Sequence, residues 1–189
     1  FVAHPKDIIF SRSGFSSYGG LIFATLLGIW YTRRHNLPVW KIADIIMPAV
    51  ALGESIGRLG CFMNGCCYGR PANPQFTKWA LKLPYLDGMK VDNPVYRHPT
   101  QIYQSLFAFL IFILLVSLNK RKKFDGETFW TYLVVYSVVR FIIDVFREPG
   151  QDWMFLQLTL AQLISIALFA FSVGILIRFK SLNIHNKNQ

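Results

Sequence analysis

Charge is scarce in this chain. Of 189 residues only 16% are Asp, Glu, Lys or Arg, while 53% are hydrophobic and 16% aromatic. A soluble domain carries roughly a quarter charged residues, so an ordinary water-facing surface is excluded. Acidic residues are the scarcer sign, 10 against 20 basic, leaving a net charge of +10. No basic helical stripe and no aromatic RNA-binding motif accompanies that excess, so nucleic acid is not expected as a partner. Cysteine is limited to three residues, all between positions 61 and 67, too few and too close for a disulfide framework. A repeat, a low-complexity tract and a signal-peptide pattern are also lacking. The chain opens at Phe1 rather than Met, and an N-terminal part of the gene product is expected to precede it.

What is present is apolar sequence in blocks of about 17–25 residues, the length that crosses a bilayer core as helix. Five membrane helices are predicted, over about 17–31, 40–59, 100–118, 127–146 and 155–177, with Pro48 inside the second as a kink candidate. The fold class is thus an all-α integral membrane protein with about five transmembrane helices. Residues 1–180 form one multi-pass domain, with a long loop at about 61–97 and a polar, disordered tail over 181–189. The connections at 32–41 and 119–123 and the tail are dense in Lys and Arg. If all five helices span, these segments share one side, so the C-terminus is expected in the cytoplasm. Residues 1–16 and the 61–97 loop are then expected to face outward.

Four charges interrupt the apolar helices: Glu54 and Arg58 on the second, Arg140 and Asp144 on the fourth. Each pair is spaced i,i+4 and shares a helix face, so each can close a salt bridge. Ionisable groups in a membrane mark function by default, although self-neutralised pairs that hold helices together are the structural alternative. Arg58 and Arg140 lie toward the outward ends of their helices, at headgroup depth. Guanidinium groups make forked contacts with phosphate oxygens, so two converging arginines read as a phosphate clamp. Tyr136 lies one turn before Arg140 on the same face. Asp44 is a weaker candidate near the cytoplasmic end, and Arg147 reads as an interfacial snorkelling residue. A second polar cluster, Arg97 to Gln104, opens the third helix. Thr100 is expected to cap it, and Gln101 and Gln104 share a face and need partners. With Tyr103 they suit the lining of a lipid cavity; His98 fits either that lining or a capped interfacial helix.

The densest feature is Gly57-Arg58-Leu59-Gly60-Cys61-Phe62-Met63-Asn64-Gly65-Cys66-Cys67-Tyr68-Gly69-Arg70. Glycines admit close backbone approach, arginines bind anions, and cysteines add soft nucleophiles or ligands. A zinc site would need a fourth ligand, and the vicinal Cys66-Cys67 pair is not zinc-ribbon spacing, so metal is the least favoured reading. A disulfide from Cys61, a thiolate activated by Arg58 and Arg70, and packing by small residues all stay open.

The segment Gly57-Arg58-Leu59-Gly60-x-Phe62-x-Asn64-Gly65-x-x-x-Gly69-Arg70 resembles the signature of the bacterial prolipoprotein diacylglyceryl transferase family. Three more blocks are similar, in the same order: Ser17-Tyr18-Gly19-Gly20-Leu21-Ile22, Arg97-His98-Pro99-Thr100-Gln101-Ile102-Tyr103, and Tyr136-x-x-x-Arg140-Phe141-Ile142-x-Asp144-x-Phe146-Arg147-Glu148-Pro149. The resemblance implies a seven-helix inner-membrane enzyme, of which this chain corresponds to the last five helices. It implies transfer of a diacylglyceryl group from phosphatidylglycerol to the thiol of a prolipoprotein lipobox cysteine, with no metal or organic cofactor. By motif, Arg58 and Arg140 hold the lipid phosphate, and Tyr136 orients lipid or substrate. Gly69 lets backbone approach the lipid, with Gly19, Gly20, Asn64, Gln101, Tyr103, Glu54, Asp144 and His98 in supporting binding roles. The chain departs from the pattern at three points. Tyr18 stands where the family usually has histidine, Cys61 where it has asparagine, and Cys66 where it has glutamate. Tyr18 and Cys61 are therefore the candidates for altered acceptor chemistry. Alternatives are a phospholipid-dependent transferase with another acceptor or a cysteine-based mechanism, and a non-catalytic lipid-binding homologue.

Overall fold

Five helices take up the apolar blocks in a computed structural model, which describes residues 17–73, 80–82, 85–86, 89–90, 95–147, 154–155 and 158–187. They are α1 (Ser17–Arg34), α2 (Val39–Met63), α3 (Thr100–Asn119), α4 (Glu127–Phe146) and α5 (Leu160–Lys187). Antiparallel two-residue pairs punctuate the connections: β1 (Leu81–Lys82) with β4 (Tyr96–Arg97), β2 (Tyr85–Leu86) with β3 (Met89–Lys90), and β5 (Met154–Phe155) with β6 (Leu158–Thr159). The architecture is all-α, with strands too short to form a layer. The expected outward placement of residues 1–16 lies outside the described residues.

Among the described residues, α2, α3, α4 and Leu160–Ser181 of α5 are long and apolar enough to cross a membrane, with mean hydropathies of 1.4 to 2.4. α1, expected as a fifth span, has 18 residues and spends its last turn on Arg33 and Arg34. Two other boundaries differ from the periodicity. α2 continues through Cys61 to Met63, so the first cysteine is helical. α5 starts at Leu160 rather than near 155, because Met154–Phe155 pairs with Leu158–Thr159 first. Thr159 and Gln162 then cap α5 reciprocally: Thr159 N–H donates to Gln162 Oε1 at 3.0 Å, and Gln162 N–H to Thr159 Oγ1 at 3.2 Å. The tail, expected to be disordered, continues as helix to Lys187, since neither Gly nor Pro follows Gly174.

The chain divides into two compact units, Phe1–Ile42 and Ala43–Gln189. In the first, α1 ends in a Schellman turn. Asn36 takes a left-handed φ of 52°, while Leu37 N–H reaches Thr32 O at 2.8 Å and Asn36 N–H reaches Arg33 O at 3.2 Å.

The second unit is polar inside and apolar outside. Its buried side chains include Ser55, Gln101, Gln104, Ser105, Thr128, Ser137, Asp144, Gln162, Ser165 and Ser172. Its exposed ones include Ile45, Ile56, Leu106, Ile164 and Phe171. Hydrocarbon is as good a solvent as a core for Leu or Ile but offers hydroxyls and amides no partner, so polar groups turn inward and bond one another. Ser55 and Ser105 show this most compactly. Each hydroxyl reaches the other's backbone carbonyl at 2.9 Å, pinning α2 to α3. Around that pin, Ala51, Ile111, Leu115 and Tyr132 form the apolar core shared by α2, α3 and α4.

At the basic end, Asp44 is fully buried. Its carboxylate accepts from Gly126 N–H at 2.8 Å, Phe129 N–H at 3.0 Å and Lys122 Nζ at 2.9 Å. It caps α4 from another helix, where an anion faces the positive end of the helix dipole. Burial disfavours the Lys122 charge, but Asp44 and Asp125 outweigh it and hold the ammonium above its ordinary range. Phe124 stacks on Phe179 at 5.7 Å, so Arg178 and Lys180 share this end with Lys120–Lys123.

Asp44→Ala is expected to destabilise the detergent-solubilised protein by about 3 kcal/mol, because it leaves two helix N–H groups without their acceptor and leaves half-buried Lys122 with Asp125 alone. Lys122→Ala should cost about 1 kcal/mol, since the capping bonds remain. Thermal unfolding of both variants checks the order; equal losses would remove the cap as the main contribution.

Candidate functional site

The glycine–cysteine segment folds by stopping α2 abruptly. Gly65 adopts a left-handed φ of 69°. Its N–H bonds Phe62 O and Cys66 N–H bonds Cys61 O, both at 3.1 Å, a second Schellman turn. Cys67 follows with φ 61°, unusual for a residue with a side chain. α3 supplies the hooks that hold this turn. Gln101 Nε2 donates to Cys66 O at 2.6 Å, and Thr100 Oγ1 donates to Cys67 O at 3.0 Å. Thr100 therefore does not cap α3 as expected. Pro99 is the cap residue and no side chain bonds there; the Thr100 hydroxyl satisfies a loop carbonyl instead.

Gly69 is the crossing point of three segments. Its N–H bonds His98 O at 2.9 Å, Arg70 N–H bonds Phe146 O at 3.0 Å, and His98 N–H bonds Arg70 O at 3.2 Å. A Cβ on Gly69 would lie 2.6 Å from Phe146 O, 2.7 Å from His98 O and 2.8 Å from the Thr100 methyl. The close approach this glycine admits is by protein backbone. His98 is buried, with its ring 5.4 Å from that of Phe146 and 6.5 Å from that of Tyr103. Burial and then the Arg70 charge hold its imidazole below the ordinary value of 6.5. Arg147, read as a snorkelling residue, pairs its backbone with Gly69 and is half-buried. Glu148 and Pro149 lie outside the described residues.

Toward the middle of the helices, three of them converge on Glu54. Gln104 Nε2 donates to Glu54 Oε1 at 2.9 Å, and the Tyr132 hydroxyl bonds the same carboxylate. Arg58 and Arg140 both act on it electrostatically. The expected Glu54–Arg58 salt bridge does not close; Glu54 takes its hydrogen bonds from α3 and α4 instead. Arg140 does pair with Asp144, at 3.8 Å, and the other Asp144 oxygen takes the Thr159 hydroxyl. Asp144 thus ties the end of α4 to the cap of α5 while steadying Arg140. Tyr136 stacks on Tyr132 at 5.6 Å, facing the core.

Glu54, Arg58, Arg140, Asp144, Tyr136, Gln101, Tyr103, His98, Gly69 and Cys61 therefore all belong to the second unit, around the α2 C-terminus and the α3 N-terminus. Asn64 is exposed in the turn between Met63 and Gly65. Tyr18, Gly19 and Gly20 occupy the first turn of α1, in the other unit. Tyr132, Thr159 and the Ser55–Ser105 pair escaped the sequence reading. Tyr132 precedes Tyr136 by four positions and Arg140 by eight, a face that was readable. Thr159-x-x-Gln162 is a legible capping box, hidden by the apolar run around it.

The fold and the site define a multi-pass membrane protein with paired cations and carboxylates gathered inside its helices. The sequence model of the family described as "Prolipoprotein diacylglyceryl transferase" matches residues 1–178. Proteins named phosphatidylglycerol–prolipoprotein diacylglyceryl transferase are similar to this chain. Those of Bacillus cereus (strain 03BB102) and Bacillus thuringiensis subsp. konkukian (strain 97-27) are each 40% identical over 176 residues, covering 92% of this chain and 64% of the relative. That of Bacillus mycoides (strain KBAB4) is 40% identical over 173 residues, covering 90% and 63%. The chain belongs to the prolipoprotein diacylglyceryl transferase family. It spans just under two thirds of the length of these relatives.

Gly69→Ala is expected to destabilise the protein by about 3 kcal/mol through a clash that backbone cannot relieve. Gly57→Ala and Gly60→Ala, where a Cβ meets nothing within 4 Å, should unfold near the wild-type temperature. For His98, a folded value below the unfolded one means that the neutral ring stabilises the fold. That contribution is complete above about pH 6.5 and is lost as pH falls toward the folded value. The wild-type midpoint should therefore drop more between about pH 7.5 and pH 5 than that of His98→Gln, measured by thermal scans at each pH.

Proposed function

We propose that this chain is the larger part of a phosphatidylglycerol–prolipoprotein diacylglyceryl transferase. The observation that carries the reading is that Arg58 on α2 and Arg140 on α4 both act electrostatically on Glu54 between apolar helices. Two arginines with Glu54 and Asp144 sum to zero charge, which is tolerable in a membrane. Guanidinium forks of this kind suit a phosphodiester arriving from the headgroup layer. In the proposed reaction the clamp holds the lipid phosphate and offsets the charge that grows on it as the glyceryl C–O bond breaks. Glu54, fixed by Gln104 and Tyr132, and Asp144, fixed by Thr159, position the two guanidinium groups. Tyr136, Tyr103 and His98 line the approach. Gln101 Oε1, buried and without a partner among the described residues, is left to accept from a ligand hydroxyl. Gly19, Gly20 and Asn64 take binding roles by motif, and Tyr18 and Cys61 are assigned to the acceptor side.

The proposed setting is a bacterial cytoplasmic membrane, with the polar tail inside and the site toward the extracytoplasmic face. Clustering of Lys120–Lys123, Arg178 and Lys180 at the end opposite the cysteine turn supports that orientation. The chain then corresponds to the last helices of a seven-helix enzyme.

Arg58→Ala and Arg140→Ala should each lower transfer from phosphatidylglycerol to a lipobox peptide by about 10²–10³-fold, read by mass spectrometry of lipid and peptide products. Lysine at either position should recover little, because a point charge does not fork onto two oxygens. Wild-type rates in both alanine variants would sink the clamp. Failure to complement a strain lacking its own transferase, with phosphatidylglycerol still consumed, would point to another acceptor.

A further inference from the structure

The three thiols are the chemistry that the phosphate clamp leaves unused. Cys61 lies on the last turn of α2, and the Schellman turn at Gly65 folds Cys66 back onto it through the Cys66 N–H to Cys61 O bond of 3.1 Å. The left-handed Cys67 then returns the chain toward the same point. As a result the Cys61, Cys66 and Cys67 sulfurs lie within 4.8 Å of one another, each on a half-buried residue. They are free thiols, and Cys66 Sγ is also 3.6 Å from Cys61 O.

Sulfurs at adjacent corners of a tetrahedral zinc site, with Zn–S near 2.3 Å, are about 3.8 Å apart. Side-chain rotations that draw these sulfurs together by about 1 Å close that triangle without moving backbone. The backbone is already held by α3, through Gln101 on Cys66 O and Thr100 on Cys67 O. Such outer contacts orient ligands in built metal sites. A donor set made only of sulfur selects a thiophilic ion over Mg²⁺ or Ca²⁺. Three thiolates and one Zn²⁺ sum to −1, a charge that Arg58, one turn before Cys61 and acting on it electrostatically, opposes.

We infer that Cys61, Cys66 and Cys67 form a three-thiolate site for Zn²⁺, and that its fourth position takes the thiol of the acceptor cysteine. The acceptor half of this inference rests on the transferase reading; the metal half does not. Zinc deprotonates a coordinating thiol outright. The acceptor proton goes to water, and a sulfur lone pair forms the S–C bond to the glyceryl carbon. The C–O bond breaks with its electron pair kept on the phosphate-bearing oxygen, so glycerol phosphate leaves and no atom changes oxidation state. Arg58 acts electrostatically on both Glu54 and Cys61, so nucleophile and leaving group would share the field of one guanidinium.

The test uses chelator-stripped protein in detergent, reloaded with Co²⁺ as a spectroscopic stand-in for zinc. A sulfur-to-cobalt charge-transfer band is expected in the wild type and is expected to be lost in Cys61→Ser, Cys66→Ser and Cys67→Ser. A wild type without the band, or a band surviving all three substitutions, overturns the site. Where a serine variant does not fold, the wild type alone decides: Zn²⁺ should block alkylation of the three thiols, and unchanged labelling overturns the site. Adding a cysteine-containing lipobox peptide should strengthen the band while its serine counterpart does not; no difference overturns the acceptor role. A band in a protein that transfers nothing would defeat the proposed function and leave the site. Transfer by a protein without the band would defeat the site and leave the function.

Discussion

A carboxylate among apolar helices has to find its partners on neighbouring chain segments, because lipid offers none. Glu54 meets that demand with an amide from α3 and a phenol from α4, and Arg58 and Arg140 act on it electrostatically. Three helices are thereby held at one depth around one group. The serine pair one residue on sets the separation of α2 and α3, and the apolar core around Ala51 and Leu115 fills the space beside it. Remove the carboxylate and Arg58 loses a balancing charge among apolar helices, while Arg140 keeps only Asp144. The rest of the site depends on this balance of two positive and two negative groups.

The ends of the same bundle are built differently, and the difference follows from charge. At the basic end Asp44 is spent on structure, capping α4 and holding Lys122. At the other end no acidic side chain caps α3; its first residues turn outward to fasten the cysteine loop. One end is thus closed by its own ion pairs, while the other keeps arginines, an orphaned amide oxygen and thiols directed toward one neighbourhood. The proposed transfer of a lipid fragment from a phosphate to a thiol needs those groups together. The inferred zinc site would let the two halves of that chemistry share Arg58.

Much of this was legible along the chain, and the legible part was short-range. Runs of apolar residues located α3 and α4 to within a residue, because a helix that crosses lipid is read from composition alone. The i,i+4 spacing of Arg140 and Asp144 foretold their pairing, since both lie on one helix face. The same rule failed for Glu54 and Arg58, because Gln104 and Tyr132 from other helices supply the bonds. Thr100 was misread for a similar reason: a local cap competed with an unsatisfied loop carbonyl, and the loop prevailed. Asp44, a weaker candidate by its place near the cytoplasmic end, instead caps a helix N-terminus distant in sequence.

The sequence by itself determined the class of protein, the approximate helices, the family and the list of groups able to do chemistry. Composition and spacing are local properties, and membrane helices hydrogen-bond within themselves, so their existence does not wait for packing. Only the tertiary structure decided which of those groups meet. Polar side chains in lipid bind whichever partner the packing brings near, and those partners lie up to 85 positions away. The same holds for the thiols. Spacing along the chain argued against a metal site, and only the two left-handed turns at Gly65 and Cys67, pinned from α3, bring three sulfurs to one place.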